Sequence, residues 1–174
     1  MIGPRVLGFD PGISGGWALV GGNGQLLIAG IYPTRLIKRS GKTVKAIDGL
    51  ALASLIQNAE ATHAFVENVH SRPRQQGQFT FGLNAGIIHG MVYANGLEVN
   101  LVAPTSWKAT FGIKRGEDET KAQKKTEARE IVQKIYPSKS DLFARVMDDG
   151  AAEATLIALY GLSLIMEGNS HVGH

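Results

Sequence analysis

The order of the apolar segments constrains the fold of this chain more than any other feature. Three short apolar runs come first, at residues 5–10, 17–20 and 26–28, and glycine-rich turns separate them. The second of these turns, Gly21-Gly22-Asn23-Gly24, has the composition of a hairpin turn that joins antiparallel strands. The sequence therefore predicts three consecutive antiparallel strands at its beginning.

Helical and strand patterns alternate through the rest of the chain. We expect strands at 63–69 and 99–102, and helices at 44–59, 79–95, 105–111, 119–135 and 149–166. This order indicates an α/β fold: a mixed five-stranded sheet with helices on both sides. Because neither an internal repeat nor a linker interrupts the pattern, residues 1–166 are predicted to form a single domain, followed by a polar, frayed tail at 167–174.

Composition excludes several classes of protein. The chain has no cysteine, which rules out disulfide scaffolds, thiolate zinc sites and cysteine nucleophiles. Its 174 residues, 44% of them hydrophobic, are typical of one globular domain. No apolar run approaches the roughly 20 residues that span a bilayer, and no signal peptide precedes the first strand. We therefore expect a soluble, cytoplasmic protein that does not contact a membrane.

Acidic residues end two of the apolar runs and begin the last helix. Asp10 ends the first apolar run, Glu67 ends the run Ala64-Phe65-Val66, and the last helical stretch opens with Asp148, Asp149 and Glu153. A carboxylate at the end of a buried strand is costly unless a cation or another partner compensates its charge. Taken singly, Asp10 could begin a turn and Asp149 could cap a helix. The repeated placement favours a divalent-metal site, in which carboxylates hold Mg²⁺ or Mn²⁺ against phosphate.

Four motifs occur in an order typical of one nuclease family. Residues 6–12, followed by Gly15-Gly16-Trp17-Ala18, are similar to the first strand pair of that family, and residues 64–67 resemble its strand with the second catalytic acid. Residues 81–86 resemble the start of its next helix, and residues 149–158 its terminal acidic helix. Together these motifs resemble the RuvC-type Holliday junction resolvases, in a form closest to phage and prophage members.

The resemblance implies a ribonuclease H-like fold and a metal-dependent endonuclease that resolves four-way DNA junctions by paired symmetric nicks. Two Mg²⁺ ions, or Mn²⁺ in their place, would be held by Asp10, Glu67, Asp149 and Glu153. The family usually ends with two aspartates three residues apart, whereas the acids here are four apart. At about 100° per residue, Asp149 and Glu153 still share one helix face, while Asp148 diverges from Glu153 by about 140° and is the reserve candidate.

Basic and aromatic residues are candidates for DNA contacts. The segment from Arg35 to Lys45 contains five basic residues and no acid, a composition that suits a polyanion. Phe79 or Phe81 could stack on an unpaired base, although core packing is the alternative for one of them. Trp107 is expected to be packed. The predicted basic contacts, whose alternative is a solvated surface, are Arg72, Arg74, Lys114, Lys121, Lys124 and Lys125.

The resemblance also implies a homodimer that binds branched DNA. Gly82, Gly86 and Gly90 follow one another at four-residue spacing, which fits either a dimer helix or close packing of this helix on the sheet. Three other functions stay open at this point. They are a different ribonuclease H-like nuclease acting on RNA or branched DNA, an ATP-dependent phosphotransferase of the actin and sugar-kinase type, which needs two such domains, and a catalytically silent DNA-binding module.

Overall fold

The mixed five-stranded sheet predicted from the sequence forms the centre of the structure. This computed structural model describes residues 3–39, 41–68, 78–113 and 121–170, without the side chains of 121–126 and 169–170. The described residues form seven strands: β1 (Arg5–Asp10), β2 (Gly16–Gly21), β3 (Leu26–Ile31), β4 (Thr34–Arg39), β5 (Lys42–Ile47), β6 (His63–Glu67) and β7 (Val99–Val102). The central sheet has the order β3-β2-β1-β6-β7, with β1 to β3 antiparallel and with β6 and β7 parallel to β1.

Helices cover both faces of this sheet, as predicted. They are α1 (Gly49–Ala59), α2 (Gln78–Ala94), α3 (Pro104–Thr110), α4 (Lys121–Ile135) and α5 (Asp149–Ser170). One core, which includes Leu7 and Phe9 of β1, lies under α1 and α2. The other core includes Val6 of the same strand and lies under α3, α4 and α5. This division follows from the pleat of a strand, which turns successive side chains to opposite faces.

Strands β4 and β5 form a separate two-stranded sheet that the sequence analysis missed. Residues 44–59 were expected to be one helix, but residues 44–47 belong to β5 and α1 begins only at Gly49. Two local features explain the boundary. The Asp48 carboxylate accepts hydrogen bonds from the backbone N–H groups of Leu50 and Ala51, which caps α1. Gly41, with φ of 76°, provides the turn between the strands.

The last helix, α5, is longer and more apolar than expected. It extends to Ser170, so residues 167–170 are helical instead of frayed, and residues 171–174 lie outside the described part of the chain. Val146–Gly168 is long and apolar enough to cross a membrane, which corrects the expectation that no such stretch exists. Most of this stretch is buried, however, because α5 packs along β1 and β2. It is the core helix of the domain.

The other predicted helices differ from the observed ones by about one residue at each end. The predicted helices 79–95 and 105–111 correspond to α2 and α3. The predicted helix 119–135 corresponds to α4, whose described part begins at Lys121, and residues 119 and 120 lie outside the described residues.

Candidate functional site

The register of the central sheet brings Asp10 and Glu67 together. Strands β1 and β6 are parallel neighbours, and Phe9 of β1 pairs with Val66 of β6. Asp10 and Glu67 each follow these paired residues and end their strands at the same edge of the sheet. The buried apolar residues before each acid fix the strands in the core, so the two carboxylates lie where the core ends.

Glycines allow the start of α5 to approach the same edge. Gly15 and Gly150 form a β-bridge between the turn after β1 and the start of α5. A Cβ atom at Gly150 would collide with the backbone of Gly15 and Gly16, so a larger residue would separate the two segments. Because Glu153 lies one helical turn into α5, this contact carries its carboxylate toward Asp10.

Asp10, Glu67 and Glu153 form a carboxylate cluster that could hold a metal ion. One oxygen from each residue lies within 4.8 Å of the oxygens of the other two. Asp10 and Glu153 are partly exposed, whereas Glu67 is buried. Three hard oxygen donors at such a distance suit Mg²⁺ or Mn²⁺, because these ions prefer carboxylate ligands. These three predicted ligands are therefore brought together by the structure.

Asp149, the fourth predicted ligand, is not a member of this cluster. Its carboxylate accepts a hydrogen bond of 2.6 Å from the Nε of Arg129, which lies on α4, and both side chains are largely buried. Helical spacing predicts that Asp149 and Glu153 share one face, but local spacing carries no information about Arg129, a cation on another helix. A metal role for Asp149 remains a prediction.

The carboxylate of Asp148, the reserve candidate, forms an ion pair with Arg145. The guanidinium of Arg145 contacts both carboxylate oxygens of Asp148, at 2.8 and 3.2 Å. Burial raises the pKa of Asp148, but the hydrogen bonds and charge of Arg145, together with the charge of Arg129, outweigh burial and leave this pKa below its ordinary value. The carboxylate is therefore ionised and paired with a neighbour of its own segment.

Two residues of α3, Trp107 and Lys108, contact the cluster. The fully buried indole of Trp107 donates a hydrogen bond of 3.0 Å to Oε1 of Glu67. The Nζ of Lys108 lies 3.9 Å from Oε1 of Glu153 and 4.9 Å from the centre of the Trp107 ring. Burial raises the pKa of Glu67, and the charge of Lys108 and the Trp107 hydrogen bond offset part of this effect. Burial thus disfavours the charged form of Glu67, and nearby positive charge favours it.

Trp107 is packed, as predicted from the sequence, but its hydrogen bond to Glu67 and the place of Lys108 beside the cluster were not predicted. One signal was available: Pro104 begins a helix directly after β7, the strand next to β6, and Trp107 and Lys108 follow within that helix.

Tyr32 contacts the backbone of Asp10. Its hydroxyl donates a hydrogen bond of 3.0 Å to the carbonyl oxygen of Asp10, and its ring stacks on Phe9 with centroids 6.5 Å apart. Burial, followed by the charge of Asp10, raises the pKa of Tyr32 well above its ordinary value. The hydroxyl therefore keeps its proton and keeps donating. This contact was not predicted.

The two candidate stacking residues differ in exposure. Phe79 is 69% exposed, and the guanidinium carbon of Arg39 lies 4.4 Å from the centre of its ring. Phe81 is only partly exposed, and its ring lies near Gly12, in the turn after Asp10. Phe79 is thus the better candidate for stacking, and this role remains a prediction.

The predicted basic contacts fall largely outside the described structure. Arg72, Arg74 and Lys114 belong to segments that the structure does not describe. Lys121, Lys124 and Lys125 lie in the first part of α4, where only the backbone is described. Their proposed contacts to phosphate therefore remain predictions.

The glycines of α2 face open space. A Cβ atom at Gly82, Gly86 or Gly90 would meet no atom within 4 Å in the described part of the chain. The helix packs on the sheet through other residues, of which Ile88 and Val92 are fully buried. Close helix–sheet packing therefore does not explain these glycines.

The sequence matches no protein-family model and no curated protein at a significant level. The structure, in contrast, superposes on solved structures over nearly its whole length. RuvC of Thermus thermophilus in complex with a Holliday junction substrate is similar with a TM-score of 0.62 and 17% identity, covering 94% of this chain and 96% of that one. The chain has the fold of RuvC.

Two further solved structures agree with this RuvC fold. Another structure of Thermus thermophilus RuvC has a TM-score of 0.56 and 14% identity, again over 94% of this chain and 96% of that one. The yeast mitochondrial Holliday junction resolvase has a TM-score of 0.50 and 16% identity, over 93% of this chain and 80% of that one. The predicted ribonuclease H-like architecture is thereby confirmed, and the carboxylate cluster lies at one edge of the sheet of a RuvC fold.

Proposed function

We propose that this protein is a divalent-metal-dependent endonuclease that resolves four-way DNA junctions, a crossover junction endodeoxyribonuclease. The observation that carries the proposal is the cluster of Asp10, Glu67 and Glu153 on a RuvC fold. Two solved neighbours of this fold are described with Holliday junctions, one in complex with the junction and one as a resolvase. Branched DNA is therefore the proposed substrate.

The proposed chemistry is hydrolysis of a phosphodiester bond with two Mg²⁺ ions, for which Mn²⁺ could substitute. Bound ions of this kind lower the pKa of the attacking water and offset negative charge on the phosphate. Asp10, Glu67 and Glu153 would hold the ions, with Asp149 as a further candidate ligand. Trp107 orients the Glu67 carboxylate, and Lys108 contributes positive charge beside Glu153 and Glu67.

The DNA would be held by cations and by an aromatic ring near this edge of the sheet. Phosphate contacts supply most of the affinity of such proteins, since each one releases counterions. We propose contacts from Arg72, Arg74, Lys114, Lys121, Lys124 and Lys125, and stacking by Phe79, or alternatively Phe81. A DNA substrate of this kind also fits the expected cytoplasmic location.

We further propose that the active form is a homodimer paired through α2. Five residues of this helix form a stripe with alternating spacings of four and three residues: Phe79, Leu83, Gly86, Gly90 and Tyr93. All five are exposed, although Phe79, Leu83 and Tyr93 are large and apolar. Such spacing is that of helices that pair along one seam. A second copy of the chain would cover this stripe from Leu83 to Tyr93 and leave Phe79, at its end, accessible for the proposed stacking on DNA.

The test of the proposed activity is cleavage of labelled DNA. The protein is incubated with a four-way junction, a linear duplex and a Y-fork, with Mg²⁺ or with EDTA. We expect paired nicks in the junction only, and only with Mg²⁺. Cutting of an RNA–DNA hybrid or of all branched substrates alike would instead indicate a different ribonuclease H-like nuclease.

Variants of the cluster link this activity to the proposed site. Asp10→Asn and Glu67→Gln should abolish cleavage while junction binding stays within about tenfold, because affinity comes from cations facing phosphates. The matched control is Glu98→Gln, an exposed acid next to β7 at the opposite end of the sheet. Cleavage by either cluster variant at the wild-type rate would contradict the assignment.

A further inference from the structure

Strands β4 and β5 form a basic ribbon, residues 34–47, that the proposed chemistry does not use. The ribbon carries five basic residues and no acidic one: Arg35, Lys38, Arg39, Lys42 and Lys45. Its strands pair with each other and not with the central sheet. An isolated hairpin is only marginally stable in water, so the concentration of like charge needs an explanation.

The basic ribbon leaves the central sheet at the edge where the carboxylates lie. Asp10 pairs with Gly16 across β1 and β2, and Gly16 pairs with Ile31, the last residue of β3. The ribbon begins three residues later, at Thr34. Farther along the ribbon, Arg39 contacts Phe79, at the start of α2. The ribbon therefore starts at the end of the sheet where the carboxylates lie, and its tip contacts the start of α2.

One face of the basic ribbon is open to solvent. Pairing of Leu36 with Lys45 and of Lys38 with Thr43 places these four side chains on one face, and all four are exposed. On the other face, Arg39 is directly opposite Lys42. Like charges in such a cross-strand pair repel each other and destabilise the hairpin. Both faces therefore carry positive charge that an anionic ligand would compensate.

We propose that the basic ribbon binds the phosphate backbone of a duplex arm of the DNA substrate. The proposal rests on the proposed function, because it takes the substrate of the carboxylate cluster to be branched DNA. A six-residue strand spans about 20 Å, enough to follow several phosphates of one strand. Lys38 and Lys45 on the open face are the principal contacts, and the absence of acids from residues 34–47 removes any repulsion of phosphate there.

The salt dependence of junction binding tests this contact. Each phosphate contact contributes about 0.9 to the slope of log affinity against log salt. We expect the double variant Lys38→Ala/Lys45→Ala to weaken binding at low salt and to reduce this slope by about 1.8. Lys45→Ala alone should reduce the slope by about half as much. The matched control is Lys134→Ala, which removes an exposed lysine from the last turn of α4. Tyr136, two residues later, contacts Gly24 at the end of the sheet opposite the carboxylates, so this change should leave the slope unchanged.

The outcomes separate this inference from the proposed function. The role of the ribbon would be overturned if the double variant kept both the salt slope and the melting temperature of the wild type. This conclusion would hold whether or not the wild type cuts junctions. An equal slope change in Lys134→Ala would also overturn it, because the effect would then reflect net charge alone. If the wild type binds duplex DNA through the ribbon but cuts no junction, the ribbon contact stands and the proposed activity fails.

Discussion

At the scale of single residues, the Glu67 side chain depends on Trp107. The indole N–H group is the hydrogen-bond donor to Oε1 of Glu67, and both residues are buried. A buried carboxylate that loses a donor becomes harder to ionise. Trp107 is therefore a positioning residue whose effect should appear in metal binding, besides any effect on stability.

We expect Trp107→Phe to raise the Mg²⁺ concentration needed for half-maximal cleavage. The variant keeps an aromatic ring but removes the donor, so the Glu67 carboxylate is less well oriented and its pKa rises further. Titration of cleavage with Mg²⁺ measures this effect. The control is Trp17→Phe, at the only other tryptophan of the chain, which lies in the opposite core. A purely structural role of Trp107 would lower stability in both variants and leave both Mg²⁺ titrations as in the wild type.

Glu67 also predicts a pH dependence of stability. Because burial raises its pKa from the ordinary value of 4.5, the ionised form is less favourable in the folded than in the unfolded chain. In EDTA, the free energy of unfolding should therefore fall as the pH rises through 4.5 and through the raised pKa. Glu67→Gln has no charge at this position, so its free energy of unfolding should not fall in this way. At neutral pH its melting temperature should therefore be higher than that of the wild type.

Thermal melts across this pH range, with EDTA and with excess Mg²⁺, measure the effect. The two proteins should converge below pH 4.5, where Glu67 is protonated. Excess Mg²⁺ should raise the melting temperature of the wild type more than that of Glu67→Gln. A wild type that stays more stable than the variant at neutral pH in EDTA would show that burial of the charge carries no cost.

The sequence predicts the three clustered acids because each follows a recognisable local pattern. Asp10 and Glu67 end apolar strands, and strand order alone places them at one edge of the sheet. The pairing of Asp149 with Arg129, in contrast, could not be predicted from local sequence patterns. Arg129 is 20 residues away on another helix, and helix–helix contacts of this kind leave no signal in local spacing.

At the scale of elements, the contact between α5 and β1 determines the geometry of the cluster. Gly8 of β1 lies directly against the backbone of Ala154 and Ala158 on α5, and a Cβ atom there would collide with both. Since Asp10 is two residues from Gly8 and Glu153 is next to Ala154, the separation of these elements also sets the separation of two carboxylates.

We therefore expect Gly8→Ala to lower both stability and cleavage. Overpacking of a close contact costs about 1–3 kcal/mol, and a displaced α5 moves Glu153 away from Asp10. Denaturant unfolding and the cleavage assay measure the two effects. Gly168→Ala, where a Cβ atom meets nothing within 4 Å, is the control; it should leave cleavage near wild type and should not lower stability, because alanine favours a helix more than glycine does. An unchanged Gly8→Ala protein would mean that α5 can shift without affecting the site.

The two strands of the basic ribbon were not predicted from the sequence. Residues 44–59 have apolar side chains at a helical spacing, but Thr43 and Val44 are β-branched, and Asp48 caps the helix that follows. The strand and the helix are adjacent in sequence, so one continuous helical pattern covers both. The central sheet was easier to predict, because its strands are separated by turns or by whole helices.

At the scale of the whole molecule, one chain offers one carboxylate cluster among its described residues. A four-way junction has two opposed strands to cut, and its two-fold symmetry is matched most simply by two copies of the chain. In the stripe on α2, a Cβ atom at Gly86 or Gly90 would meet no atom of the described residues within 4 Å, so two helices could approach closely there. Dimerisation would then place two clusters on one junction.

Gly86→Leu should shift the protein toward the monomer and yield junctions with a single nick. A leucine in the middle of the stripe would overpack a close helix–helix contact, whereas it meets no atom of its own chain. Thr80→Leu is the control, because Thr80 is exposed on the same helix but points about 100° away from Phe79. Light scattering gives the oligomeric state, and a cruciform plasmid assay separates nicked from linear product. Wild-type protein that remains monomeric on the junction, or a Gly86→Leu variant that still dimerises and linearises the plasmid, would exclude pairing through α2.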